Sequence, residues 1–166
     1  MTASPAIPFE TTAHVRDACL CLHTQRAARA LARRFDEALR PAGLTNGQFS
    51  LLMALNRPEP APISEIAVLL GADRTTLTAA LKPLVRRSLA EISADAGDSR
   101  VRRIALTAEG RARLAAALPH WTRTHAALEV ELEGSDPARL RRDLLSLSAP
   151  GAGAPATALC DSQETP

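Results

Sequence analysis

The sequence predicts a mainly α-helical fold carrying one small β-hairpin, and three observations lead there. Apolar residues recur at three-to-four spacing along most of the chain. Helix start and stop signals punctuate that pattern, among them Thr45-Asn46-Gly47-Gln48, Ser135-Asp136-Pro137 and the glycines Gly43 and Gly71. At Arg100 to Leu106 the pattern changes to one that alternates basic and apolar positions. The chain has 166 residues, 46% of them hydrophobic, which is enough to build a core. Aromatics make up 2% with no tyrosine, which argues against stacking platforms for single strands or sugars. No apolar run approaches the ~20 residues of a membrane span. Met1 to Phe9, MTASPAIPF, lacks the basic start and apolar stretch of a signal peptide, so a cytoplasmic location is expected.

The elements follow in order. Residues 1–11 read as a flexible start. Thr12 to Leu39 reads as one long helix, with Val15, Leu22, Leu31, Phe35 and Leu39 on its apolar face, stopped by Pro41 and Gly43. Thr45 and Gln48 form a capping box that opens a helix to about Asn56. After the proline-rich turn of residues 57–62, Ile63 to Leu70 is a short helix with Ile66, Leu69 and Leu70 inward. Asp73 caps the next helix, Arg74 to about Ser88, whose Leu77, Leu81, Leu84 and Val85 make a buried stripe. Two strands follow, Leu89 to Ser93 and Arg100 to Leu106, around a turn at residues 94–98. Thr107 caps a long helix to about Leu132, and Pro137 opens a last one to about Leu147. Residues 148–166 have no periodicity and read as a disordered tail.

A short helix, a turn, a second helix and then a basic hairpin make a winged helix-turn-helix. The second helix is about 15 residues long and presents small Thr and Ala side chains, so it can enter a major groove about 12 Å wide. Residues 73–113 hold nine basic and five acidic side chains, a footprint suited to phosphates. The candidate DNA contacts are Arg74, Thr75, Thr76, Thr78, Lys82 and Arg86 on the helix, with Asp98, Arg100 and Arg102 on the hairpin. A solvated polar face is the ordinary reading of any one amphipathic helix; the basic hairpin directly after it tips the balance to double-stranded DNA.

Asp98-Ser99-Arg100 followed by a strand and Leu106-Thr107-Ala108-Glu109-Gly110 resembles the wing signature of the MarR family of bacterial transcription regulators. Asp73 to Thr78 with its spaced leucines resembles the family's recognition helix, and Gly43 to Leu52 resembles its second helix. Ser88 departs from the pattern, which has Gly between recognition helix and strand. The resemblance spans about residues 12–147. It implies one domain, in which 12–41 and 108–147 are dimerisation helices flanking a winged lobe at 45–107. It also implies a homodimer on a pseudo-palindromic operator, with Arg100 in the minor groove and Asp98 orienting it. Leu114, Leu118, Trp121, Leu128, Val130 and Leu132 are apolar positions beyond what a lobe of about 70 residues covers.

The spacing of Cys21, Arg29 and Thr45 resembles the organic-hydroperoxide-sensing branch, as do Thr76-Leu77-Thr78 and Leu81-Lys82. That branch activates its thiol with tyrosine hydroxyls, and here Phe35 and Asn46 stand where they align. Cys21, with Cys19, is the candidate sensor, and His23, Arg26 and Arg29 are candidate activating groups. Two alternatives stay open: cysteines that are only packing, or a regulator answering to a small aromatic ligand near Phe49 and Trp121. Cys19 and His23 share a helix face, but two ligands do not make a metal site, and no metal or other cofactor is expected. Cys160 leaves intermolecular pairing open. No catalytic constellation is present, and a thiol enzyme would need a thioredoxin-like core that these helices do not supply.

Overall fold

A computed structural model describes residues 6–98, 100–132 and 134–148. The elements are α1 (Phe9–Ala18), α2 (Leu20–Leu39), a 3-10 turn (Arg40–Ala42), α3 (Asn46–Ala54), β1 (Ala61–Pro62), α4 (Ile63–Leu69), α5 (Arg74–Arg86), β2 (Ala90–Ala94), β3 (Arg102–Leu106), α6 (Ala108–Glu131) and α7 (Pro137–Ser148). Two compact units are separated between Thr124 and His125, inside α6. The tail expected at 148–166, with Cys160, lies outside the described residues beyond Ser148.

The first unit holds the winged lobe. Its core is built from Leu39, Leu51, Leu52, Ile66, Leu77, Leu81, Leu84, Leu89 and Ile104, each almost wholly buried. Truncating any of these leucines to Ala typically costs about 2–5 kcal/mol. The capping box at α3 forms as expected, with the Thr45 side chain accepting from the Gln48 N–H and Gln48 Oε1 accepting from the Thr45 N–H. Asp36 of α2 adds a third cap by accepting the Asn46 N–H at 2.6 Å, which ties α2 to the start of α3. The sheet is antiparallel, ordered β1-β3-β2, with Ile104 opposite both Ala61 and Ile92.

Several expectations are corrected. The first helix begins at Phe9, three residues before the Thr12 at which the periodicity places its start. It is also two helices, because Cys19 adopts an extended ψ of 104° and its Sγ accepts the Leu22 N–H as the N-cap of α2. Leu69, Leu70 and Val85 are exposed rather than inward. Leu114 is buried within the lobe, so it is not an uncovered position. β1 was not expected; two residues cannot show alternation, and Pro62 has no N–H for a ladder.

The junction between wing and α6 is tight. Thr107 donates its hydroxyl to the Ser88 carbonyl at 2.6 Å and accepts the Gly110 N–H at 2.9 Å, capping α6. Ser88 itself stands at φ 56°, where the pattern it departs from has Gly. A side chain in that left-handed region costs about 1 kcal/mol, which is the local consequence of the departure.

The second unit contains the end of α6 and α7. Asp136 caps α7 by accepting the Ala138 and Arg139 N–H groups. Arg141 reaches Glu129 at 2.9 Å. Leu140, Leu144, Leu145 and Leu147 of α7 are exposed.

Candidate nucleic-acid interface

α5 starts where Asp73 accepts both the N–H and the hydroxyl of Thr76, at 2.8 and 2.7 Å. Those bonds, the hydroxyl foremost, hold the Asp73 carboxyl below the usual carboxylate range. Leu77, Leu81 and Leu84 anchor the inner face of the helix, leaving Arg74, Thr75, Thr76, Thr78, Lys82 and Arg86 exposed. The Thr78 hydroxyl donates to the Arg74 carbonyl at 2.7 Å. With both hydroxyl protons so used, the exposed Thr76 and Thr78 keep methyl groups and oxygen lone pairs for a partner, a chemistry suited to thymine methyls and base amino groups.

The wing tip is organised by a residue that spacing did not reveal. Asp95 Oδ1 accepts the N–H groups of Gly97 and Asp98 at 2.8 and 3.1 Å, and Oδ2 pairs with the Arg103 guanidinium. Arg103, and after it the two N–H groups, hold the Asp95 carboxyl below the usual range. Arg103 also donates to the Pro60 carbonyl at 2.9 Å, tying the wing to the turn before β1. Asp98 accepts the Arg100 N–H at 3.0 Å, while the guanidinium stands off at 3.9 Å with 93% of the side chain exposed. Asp98 thus fixes the Arg100 backbone and leaves its charge outward.

Because the Asp95 pKa is depressed, its contribution to wing order is present above the ordinary carboxylate range. It is lost only as pH falls through the lower folded value. Asp95→Asn should therefore speed amide exchange at Gly97 and Asp98 at neutral pH, with the core unchanged. The wild type should match that behaviour only below about pH 4. Unchanged exchange in the variant would leave the wing to its backbone alone.

The structure brings Arg74, Arg100 and Arg102 together. With Pro62, Ile63, Ser64 and Val101 they line a notch of about 120 Å³ between α5 and the wing. Ser64, from α4, was not anticipated. Lys82 and Arg86 lie farther along α5, Arg86 about 18 Å from Arg74 at 1.5 Å per residue. Four of the nine basic residues counted in this region face inward bonds instead: Arg87, Arg103, Arg111 and Arg113 bond carbonyl oxygens within the lobe. The outward charge is thus concentrated in five side chains, Arg74, Lys82, Arg86, Arg100 and Arg102.

The other candidates fall on α2 and in the aromatic core. Cys21 is exposed, and its Sγ accepts from the Gln25 amide at 3.2 Å. Arg29 bonds Gln25 Oε1 at 3.1 Å, so it stands behind that amide rather than on the sulfur. The His23 ring meets the Asp17 carbonyl at 3.1 Å across the helix break, and Arg26 is exposed. Phe49 is buried and stacks on Trp121 at 6.1 Å between centroids; Phe35 stacks on Trp121 at 6.5 Å. Among the described residues no group of three or more His, Cys, Asp or Glu could hold a metal ion, and no helix is long and apolar enough to cross a membrane.

Fold and site together define a winged-helix protein with a basic face between recognition helix and wing. Residues 42–101 match the MarR family model. The M. tuberculosis transcriptional regulator MosR, solved in complex with DNA, is 42% identical, with 78% of this chain and 93% of that chain covered and a TM-score of 0.67. A second crystal structure of M. tuberculosis MosR is 41% identical over 80% and 94%, at 0.68. The transcriptional repressor CouR, described from Rhodococcus jostii RHA1 and solved on a 23-mer DNA duplex, is 28% identical over 86% and 96%, at 0.65. No curated protein sequence matches the chain. The chain belongs to the MarR family, and its class is that of DNA-binding transcription regulators rather than enzymes.

Proposed function

We propose that the protein is a homodimeric repressor that grips a pseudo-palindromic operator and lets go when Cys21 is oxidised. The observation that carries the DNA half is the notch in which Arg74 of the recognition helix faces Arg100 and Arg102 of the wing. A duplex offers matching elements, a major groove for α5 and an adjacent minor groove for Arg100, with phosphates between. The similarity to MosR on DNA supports the same reading.

Dimerisation answers the exposed apolar residues of the terminal helices. Val15, Leu20 and Leu31 on α1 and α2, Leu118 and Val130 on α6, and the four leucines of α7 are exposed in the single chain. A partner chain would remove that surface from water at about 25 cal/mol per Å². Two lobes then meet half-sites about one helical turn apart. A role on chromosomal DNA would place the protein in the cytoplasm.

For the sensing half, the exposed thiol of Cys21 with an amide on its sulfur is open to a hydroperoxide. The sulfur takes the terminal peroxide oxygen, the O–O bond breaks, the alcohol leaves with the proton, and Cys21 becomes a sulfenic acid. The stacking of Phe35 and of Phe49 on Trp121 favours this over an aromatic ligand seated on Phe49 and Trp121.

Cys21→Ser should bind operator like the wild type and resist release by an organic hydroperoxide, whereas Cys19→Ser should still be released. Gel shifts with and without oxidant check this. Equal release of Cys21→Ser and wild type would move sensing to another group.

A further inference from the structure

The corner that joins α2 to α3 is held by two arginines from other parts of the lobe. Beyond the 3-10 turn, Gly43 stands at φ 65°, and the carbonyls of Ala42 and Gly43 lie past the last helical hydrogen bonds, as at any helix end. Arg87, the C-cap of α5, donates to the Gly43 carbonyl at 2.9 Å and to Gln48 Oε1 at 3.3 Å. That same Gln48 oxygen closes the capping box of α3. Arg113, on α6, donates to the Ala42 carbonyl at 3.4 Å and pairs with Glu109 at 3.0 Å. The two guanidiniums flank one glycine: a Cβ on Gly43 would lie 3.6 Å from Arg87 and 3.7 Å from Arg113.

We infer that Arg87 and Arg113 are positioning residues for operator recognition, setting the angle of the recognition helix against α2 and α6 and so the half-site spacing the dimer accepts. The inference rests on the dimeric operator-binding reading above. Three features of the corner carry it. The end of the recognition helix, the end of α2 and the second turn of α6 converge on two adjacent carbonyls. The bonds come from planar, multi-donor groups, which fix direction as well as distance. The Gly43 carbonyl is on the exposed side of the corner and the Arg113 bond to Ala42 is part-buried, so losing the bonds lets water reach the Gly43 carbonyl and leaves the leucine core intact. Such a contact adds little to stability and much to angular definition.

The test uses the full chain and operators selected by it from random duplexes. Affinity is measured on the selected duplex, on duplexes with the half-sites moved one base pair closer or farther, and on a single half-site. One base pair turns a half-site by about 35°. The wild type should discriminate sharply between spacings. Arg87→Ala/Arg113→Ala should lose roughly tenfold of that discrimination while binding a single half-site and melting nearly as the wild type does. Each single variant keeps one guanidinium on the corner and should lose about threefold, which preserves the test if the double variant melts early. Arg87→Lys, which keeps charge but not the fork, should fall between. Unchanged discrimination in the variants would overturn the inference, as would an equal loss on every duplex including the single half-site. A wild type indifferent to spacing would instead overturn the dimeric operator reading and take the inference with it.

Discussion

Gly110→Ala should destabilise the winged lobe by about 3 kcal/mol or more, lowering its melting temperature by roughly 10 °C. Gly110 is buried in the first turn of α6, and a Cβ there would stand 1.9 Å from the Leu89 carbonyl oxygen and 3.2 Å from Leu106 Cδ2. Real Cβ atoms essentially never come within 3.0 Å of such an atom, so helix and strand would have to part by about 1 Å. Neither neighbour is the free end of a flexible chain: one is backbone, and Leu89 and Leu106 are both buried. Parting them also weakens the Thr107 N–H bond to the Leu89 carbonyl and loosens the cap that Thr107 provides. Gly47, inside α3, is the matched control, because nothing lies within 4 Å of a Cβ there. Gly47→Ala should be neutral or stabilising by up to about 1 kcal/mol, as expected for Ala over Gly in a helix. Thermal melts of both variants check the pair, and a Gly110→Ala protein that melts with the wild type would remove this close approach from the account.

Arg100→Ala should weaken operator binding by about 1–3 kcal/mol, roughly 5- to 150-fold, without altering the fold or the oligomer. The side chain is 93% exposed and does not hold the wing together; Asp95 and Arg103 do that. Its guanidinium makes no close pair with Asp98, so it pays little to leave the protein for a groove. Removing Arg100 from both lobes takes away two cations that meet phosphate or a narrow minor groove, and should also flatten the salt dependence of binding by about two units of slope. Anisotropy titrations over a range of salt give both numbers. Arg103→Ala makes an instructive contrast, because it should weaken binding by disordering the wing, with accelerated amide exchange at Gly97 that Arg100→Ala lacks.

Much of the lobe was legible in the sequence because its signals are local. The Leu77, Leu81 and Leu84 stripe, the Thr45–Gln48 capping box and the Asp73 cap depend on residues within one or two turns of each other, and each forms as expected. The break at Cys19 carries no sequence signal, because a thiol is not among the usual N-cap groups and the apolar spacing runs through it. Leu69, Leu70 and Val85 fall on apolar faces yet stay exposed, because periodicity marks an apolar face without saying how wide its cover is. The site was legible in part for a similar reason. Arg74 and Arg100 announce themselves by type and position. The pairing of Asp95 with Arg103 spans eight residues across a loop, and the bonds of Arg87 and Arg113 to the Gly43 corner span more than forty. No periodicity encodes contacts of that kind, so counting charges along the chain overstated the number of cations free to meet DNA.

The most direct measurement is the affinity of the full-length protein for its selected duplex, for unrelated duplexes and for the separated single strands, across a salt series. With Arg74, Lys82, Arg86, Arg100 and Arg102 outward on each of two lobes, log K should fall linearly with log salt, at a slope of roughly −5 to −9, and the selected duplex should be held far more tightly than the others. Equal binding to single strands and duplexes, or an affinity that ignores salt, would contradict the assignment of this face to duplex DNA.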